Sequence, residues 1–142
     1  MVFTIFKIKK MTLQISILTP SGIFWSNKAK KILLPTTTGQ IGVLKNHRPL
    51  ITALDIGVIF IYTENTSGFL DITIIGGFAL VKQNIIIILT NSAELPNNLN
   101  QSKIEIEFQE ATTLLENAKT KKQRIDALFH YKRAKARYQA LQ

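Results

Sequence analysis

The side chains that could do chemistry are few and widely spaced in this 142-residue chain. It contains no cysteine, so it can form no disulfide, no thiolate nucleophile and no cysteine-based zinc site. Its two histidines, His47 and His130, fall in segments of different composition, which argues against a shared zinc site. No nucleophile, acid/base pair or metal cluster is recognisable. The sequence therefore predicts a protein with no catalytic residue, no metal and no cofactor.

Two short motifs have structural explanations. Gly76-Gly77 lacks the further glycines and the lysine of a phosphate-binding loop and lies between apolar runs. We therefore expect a β-bulge or a close contact between strands there. Asp55 comes directly before Ile56-Gly57, a pattern typical of a turn rather than of a catalytic acid.

Positive charge is concentrated near the end of the chain. The net charge is +9, and from residue 113 onward eight Lys/Arg face two acids, a net +6. Such a surface attracts nucleic acid, anionic lipid or an acidic protein, and composition alone does not choose among them. No apolar run approaches the roughly 20 residues of a membrane-spanning helix.

The first two thirds of the chain predict β-structure. Residues 12–90 are rich in β-branched and apolar residues and are interrupted by turn formers at short intervals, which predicts an antiparallel β-sandwich or barrel. Residues 13–17 alternate apolar and polar side chains, as in a strand with one buried face. Residues 85–89 are apolar throughout and predict a strand covered on both faces. We place the β-sandwich domain at residues 11–96.

A helical arm is predicted after the sandwich. The polar stretch at residues 97–102 indicates a hinge, and residues 103–142 contain no proline or glycine. Ser102 or Asn100 could cap a first helix, and Thr120 with Gln123 predicts the start of a second. The fold class is thus α+β, an N-terminal antiparallel β-sandwich followed by a C-terminal antiparallel two-helix hairpin. Residues 1–10 form an extension, with Met11 as an alternative start.

Each predicted helix carries apolar stripes at three- to four-residue spacing. Ordering a chain costs about 1.5 kcal/mol per residue, so two short helices are marginal unless they dock on another surface. The first helix offers Ile104, Phe108, Ala111, Leu115 and Ala118; the second offers Ile125, Leu128, Phe129 and Ala136 on one face, and Ala127, Tyr131, Ala134, Tyr138 and Leu141 on an adjoining face.

Several motifs, taken in order, carry a family resemblance. The first is LLPTTTGQIGVLKNHRPL at 33–50, followed by LDIGV at 54–58. The second is GGFA at 76–79, followed by the AE pair at 93–94. Together with the basic run RAKAR at 133–137, these segments resemble the epsilon subunit of F-type ATP synthases. The opening MTL at 11–13 with LTP at 18–20 is most similar to the plastid branch.

The resemblance implies a non-catalytic rotor subunit of a proton-translocating ATP synthase. Its sandwich would contact the gamma subunit and the ring of c subunits, and its arm would reach the alpha/beta catalytic head and restrain ATP hydrolysis. The protein would be peripheral to the membrane, on the stromal face of the thylakoid in a plastid or on the cytoplasmic face of a bacterial-type membrane. By the same resemblance, Gln40 and His47 match ring contacts, and Lys132, Arg133, Lys135 and Arg137 match contacts with an acidic segment of the beta subunit.

Some members of this family bind ATP on the folded arm, through an acid-and-arginine segment and two arginines of the second helix. Here Asn100 stands in place of the acid, and Lys103 replaces a forked guanidinium with a point charge. These changes argue against a tight nucleotide site on the matching residues, which are Glu94, Lys103, Arg133 and Arg137.

Two alternative functions are open on the residues alone. A basic nucleic-acid-binding protein would use the cationic arm, but aromatic side chains for base stacking are not interleaved with the cations. A small β-sandwich enzyme or sugar binder would need converging carboxylates or an aromatic cleft. Trp25 and three tyrosines are scattered along the chain, which does not favour such a cleft.

Overall fold

The computed structural model describes residues 12–64, 68–96 and 100–141. The extension at 1–10 and positions 97–99 of the expected hinge lie outside the described residues. Within these ranges eight strands precede two helices, and the predicted order of a β-domain followed by a helical hairpin is confirmed. The strands are β1 (Leu13–Thr19), β2 (Gly22–Ala29), β3 (Lys31–Thr36), β4 (Gly39–Leu44), β5 (Leu50–Tyr62), β6 (Phe69–Lys82), β7 (Ile85–Leu89) and β8 (Ala93–Glu94); the helices are α1 (Gln101–Glu116) and α2 (Lys121–Ala140).

The strands form a sandwich whose two layers share β5 and β6. The strand order is β2-β1-β7-β6-β5-β3-β4, with β8 added beside β6. The first half of β5 and the second half of β6 continue into β7, β1 and β2. The other halves continue into β3, β4 and β8. All pairings are antiparallel except that of β1 with β7, which is parallel.

One aliphatic core fills the space between the layers. Alternate residues of β1 and β3 point into it, which confirms the predicted alternation at Leu13, Ile15 and Ile17. The long strands contribute Ile59, Ile61 and their neighbours. Burial of this apolar surface is the main stabilising term of the domain.

The expected turn at Asp55 is wrong, whereas Gly76-Gly77 lie inside a strand, where a bulge or close strand contact is expected. β5 runs through Asp55 and β6 runs through both glycines, and the register pairs Leu54 with Gly77. Gly76 and Gly77 have φ angles of +65° and +132°, which let the paired strands bend from one layer to the other. The expected close strand contact is confirmed, because a Cβ on Gly77 would overlap the carbonyl oxygen of Leu89.

The expectation that β7 is covered on both faces is also wrong. Ile86 and Ile88 are fully buried, but Ile85 and Leu89 are 50% and 52% exposed. Continuous apolarity therefore does not mean two-sided burial in this strand. It marks an outer face that the described residues leave open.

Both helices begin at side-chain caps. Thr120 and Gln123 form the predicted capping box at the start of α2. Of the two candidates for α1, Asn100 is the cap, since its side chain accepts a hydrogen bond from the Lys103 amide. The helix therefore begins at Gln101, two residues before the expected boundary of the arm.

The helices meet through one of the two predicted faces of α2. The Phe108 ring stacks on Tyr138 with centroids 5.0 Å apart and lies 5.8 Å from Tyr131. Ala127 and Ala134 are buried on the same face of α2. The other predicted stripe is wrong in its first half, because Ile125, Leu128 and Phe129 are exposed.

We predict that Gly77→Ala destabilises the sandwich by about 3 kcal/mol or more, because it adds a steric overlap with backbone to an unfavourable φ. The matched control is Gly39→Ala, whose φ is also +132° but whose Cβ would meet nothing within 4 Å. This control isolates the cost of the positive φ, about 1–2 kcal/mol. Denaturant unfolding measures both, and equal losses would show that the contact with Leu89 is not limiting.

Candidate interaction surfaces

The arm docks on the outer face of the layer that contains β3 and β4. Ala136 and Ala140 of α2 pack on Val58 of β5, with Ile56 and Phe60 beside them. These side chains point outward because their neighbours Ile59 and Ile61 point into the core. The apolar contact is small, so it accounts for only part of the docking energy.

An ion pair lies at one side of this contact. The Lys132 Nζ is 3.1 Å from the Asp55 carboxylate, and both side chains are more than a third exposed. Because solvent screens such a pair, it contributes about 0.2–1 kcal/mol. Asp55 is thus a strand residue that anchors α2, not a turn residue, and sequence reasoning missed this role because its partner is far away in the chain.

Arg137 makes the more buried charged contact. Its Nη2 and Nε donate to the two oxygens of Glu94 on β8 at 2.7 and 2.9 Å, and its Nη1 donates to Glu107 on α1 at 3.3 Å. The Arg137 side chain is 18% exposed. Its pKa is raised above the ordinary value, chiefly by the hydrogen bond to Glu94, while burial acts in the opposite direction. One guanidinium thus joins α2 to the sandwich and to α1.

The remaining basic residues predicted as a contact surface are placed differently. Arg133 lines the groove between the helices, together with His130 and Glu110. Lys135 is exposed and lines a groove between α2 and the sandwich, which Gln40 also lines. All four cations lie on α2, but Lys132 and Arg137 are engaged by carboxylates of the sandwich, and Arg137 also by Glu107 of α1.

The four residues matched to a nucleotide site do not form one open pocket. Glu94 holds Arg137, and its carboxylate would repel a phosphate brought to that guanidinium. Arg133 faces the interhelical groove. Lys103 is exposed in the first turn of α1. Arg137 lines that groove as well, together with Glu107 and Glu110, so the structure brings the two arginines together but not with Lys103.

Gln40 and His47 lie toward opposite ends of β4. Gln40 is the second residue of the strand, is exposed and lines a groove with Lys135 and Gln139 of the arm. His47 follows the other end of the strand, where Asn46 is hydrogen bonded to Asn84. The structure therefore separates the two residues that the resemblance assigns to one contact.

An apolar surface lies on the outer face of the other layer, and sequence reasoning missed it. Leu80 of β6 is paired with Ile51 on one side and Ile87 on the other, and Phe78 is paired with Leu89. We call this the β-face patch; Ile51, Phe78, Leu80, Ile85 and Leu89 are between 40% and 75% exposed. Exposed apolar patches of this kind are typical of interaction surfaces. The uninterrupted apolar run at 85–89 is the signal that could have revealed it.

Among the described residues, no three His, Cys, Asp or Glu side chains are grouped closely enough to hold a metal ion. Within the same ranges, neither helix has the length and hydropathy needed to cross a membrane.

The family follows from comparison with known proteins. The family model for the β-sandwich domain of the ATP synthase delta/epsilon chain matches residues 12–96, which is more than half of the chain. The chain therefore belongs to the delta/epsilon family of ATP synthase subunits, which are non-catalytic parts of the complex that makes ATP.

Its relatives narrow the class to epsilon chains of plastid type. The chain is 62% identical over 130 residues to the plastid ATP synthase epsilon chain of Prototheca wickerhamii, covering 92% of this chain and 96% of the relative. It is 53% identical over 131 residues to the chloroplastic epsilon chain of Chlorella vulgaris, with the same coverage. These relatives support a plastid location and confirm the resemblance read from the motifs. They give no support to the nucleic-acid-binding alternative.

A solved structure confirms the fold. A chain in the Euglena gracilis mitochondrial ATP synthase structure (OSCP/F1/c-ring) superposes with a TM-score of 0.81 over 93% of this chain and 82% of that one. The identity is 19%, so this likeness shows the architecture alone.

Proposed function

We propose that this protein is the epsilon subunit that joins the gamma subunit to the c ring in the central stalk of a plastid ATP synthase, on the stromal face of the thylakoid. Its helical arm restrains ATP hydrolysis by the alpha/beta head. The observation that carries the proposal is that the two outer faces of the sandwich differ. One face holds the arm, and the other presents the β-face patch.

The β-face patch supports a permanent protein partner, which we assign to gamma. Five large apolar side chains on three adjacent strands are exposed, and burying them would stabilise a complex by about 25 cal/mol per Å² of apolar surface. The strands behind the patch are backed by the core, so binding requires no rearrangement of the sandwich.

The ring contact is assigned to the Gln40 end of β4. Thr37, Thr38, Gly39 and Gln40 are all exposed there, so the turn offers polar groups to another backbone. The His47 end instead adjoins the β-face patch, because Asn46 is bonded to Asn84, the neighbour of Ile85. We therefore assign His47 to the border of the gamma contact and keep Gln40 as the ring contact.

The arm supports a regulatory role. Its contact with the sandwich combines a few small apolar side chains with two sets of ion pairs. A docking free energy of a few kcal/mol allows two states to be populated and shifted by a partner. The basic residues Lys132, Arg133, Lys135 and Arg137 would face the acidic segment of the beta subunit after release.

We predict that Leu80→Asp abolishes capture of gamma by the full-length protein, since a charge would be buried at the centre of the β-face patch. The matched control is Ile106→Asp, which places the same charge at an exposed aliphatic position on the arm (55% exposed) and should leave capture unchanged. A pull-down with purified gamma measures both. Equal capture by the two variants would contradict the assignment of the patch.

The ring assignment is tested by cross-linking from single cysteines, since the chain has none of its own. We predict that a photoreactive label on Gln40→Cys reaches the c subunit in the assembled complex, whereas the same label on His47→Cys reaches gamma. The products are identified by mass spectrometry. Labelling of c from residue 47 but not from residue 40 would reverse the assignment.

We predict that deletion of residues 103–142 leaves assembly intact and raises ATP hydrolysis by the complex, because the sandwich has its own core and the arm does not contribute to it. Hydrolysis is measured by phosphate release from purified complexes with matched subunit content. An unchanged rate would argue against a braking role for the arm in this protein.

A further inference from the structure

The contact between the folded arm and the sandwich contains little apolar surface and two charged links. Its buried apolar contact with the sandwich consists of Ala136 and Ala140 against Val58. Alanine side chains bury little area, so this contact contributes little on its own. Among the described residues, the charged links from α2 to the sandwich are the ion pairs Lys132–Asp55 and Arg137–Glu94.

Of these links, the Arg137 cluster is the strongest by geometry. The guanidinium binds both oxygens of Glu94, the bidentate arrangement in which charge-assisted hydrogen bonds are strongest. Its third nitrogen binds Glu107, so all three guanidinium nitrogens are occupied. By contrast, Lys132 and Asp55 are 39% and 35% exposed and form a single screened pair.

The α1 helix depends on the same cluster. Glu107 of α1 contacts Arg137, and the Phe108 ring packs on Tyr131 and Tyr138 of α2. The two helices are thus joined to each other by aromatic packing and to β8 through one arginine. Loss of the contact between Glu94 and Arg137 would therefore weaken the docking of both helices together.

Resting on the proposed function, we infer that Arg137 is an ionic latch: it holds the whole arm on Glu94, and an acidic partner releases the arm by taking Arg137 away from that carboxylate. Arg137 is then a positioning residue with two mutually exclusive partners. Glu94 occupies the bidentate position formed by Nε and Nη2, so a carboxylate of the partner can take that position only after Glu94 leaves it. The arm's release is therefore sensitive to ionic strength and to competing carboxylates.

The experiment uses the isolated full chain, so its outcome does not depend on gamma binding or on hydrolysis by the complex. Fluorescence energy transfer is measured between labels on Lys82→Cys of the sandwich and Lys121→Cys of the arm, both exposed positions in a cysteine-free chain. Salt is raised from about 0.01 M to about 1 M NaCl, over which the Debye length falls from about 30 Å to about 3 Å. We expect the ratio of released to docked arm to rise at least about threefold across this range.

Substitutions identify the residue responsible. Arg137→Ala should raise the released-to-docked ratio about tenfold at low salt, and Glu94→Gln should do nearly the same while leaving the helix sequence intact. The matched control is Arg133→Ala, an arginine one turn earlier on α2 that makes no ion pair within the described residues, and its ratio should stay within about twofold of the parent. Combining Arg137→Ala with Glu94→Gln should add little to either change alone.

Competition is tested with poly-L-glutamate, which offers carboxylates and no apolar surface. At equal ionic strength it should release the arm of the parent protein more than NaCl does, and it should have no such excess effect on Arg137→Ala. Equal release by the two solutes would overturn the competition. A released fraction that does not change with salt, or an Arg137→Ala value equal to that of Arg133→Ala, would overturn the latch itself. Far-UV circular dichroism of each variant shows whether the helices persist.

Discussion

The pairing of β5 with β6 is the constraint on which the rest of the structure depends. These strands stay in register from Leu50 with Val81 to Tyr62 with Phe69, and each passes through both layers of the sandwich. A strand has two faces, and only one of them can point into the core between the layers. Each half of the β5–β6 pair therefore has one face that points outward. The outward face of one half receives α2, and that of the other half forms the β-face patch. Two interaction surfaces on opposite sides thus arise from one pair of strands.

The two surfaces differ in chemistry, and that difference suits a lasting contact on one side and a reversible one on the other. The β-face patch consists of large aliphatic and aromatic side chains, whose burial is insensitive to salt. The arm contact consists of alanines flanked by ion pairs, whose strength changes with ionic strength and with competing charges. This difference agrees with the proposal of a permanent partner on the β-face patch and a reversible contact at the arm.

Local sequence patterns correctly predicted the features that depend on residues close together in the chain. Alternation identified the inward face of β1, and the Thr120–Gln123 box identified the start of α2. The errors at Asp55 and at residues 85–89 have a common origin, since each concerns how a strand meets another part of the molecule. A turn-forming residue can lie inside a strand when its partner bends with it, and an apolar strand face can be open when a second protein covers it. Neither condition can be recognised within one short stretch of sequence. The contact between Arg137 and Glu94 could not be predicted for the same reason, because the two residues are 43 positions apart.

The alanines of α2 have a mechanical consequence. Side chains with branches interlock across an interface, and parting them requires rotamers to change and leaves voids behind. Ala136 and Ala140 have no side-chain rotamers, so their contact with Val58 involves little interlocking of side chains. Undocking the helix therefore separates few interlocking side chains, those of Ile56 and Phe60 beside Val58, and the rest of the contact consists of charges that water can solvate. We expect alanine at these two positions to affect the rate at which α2 undocks as well as the equilibrium between the docked and released arm.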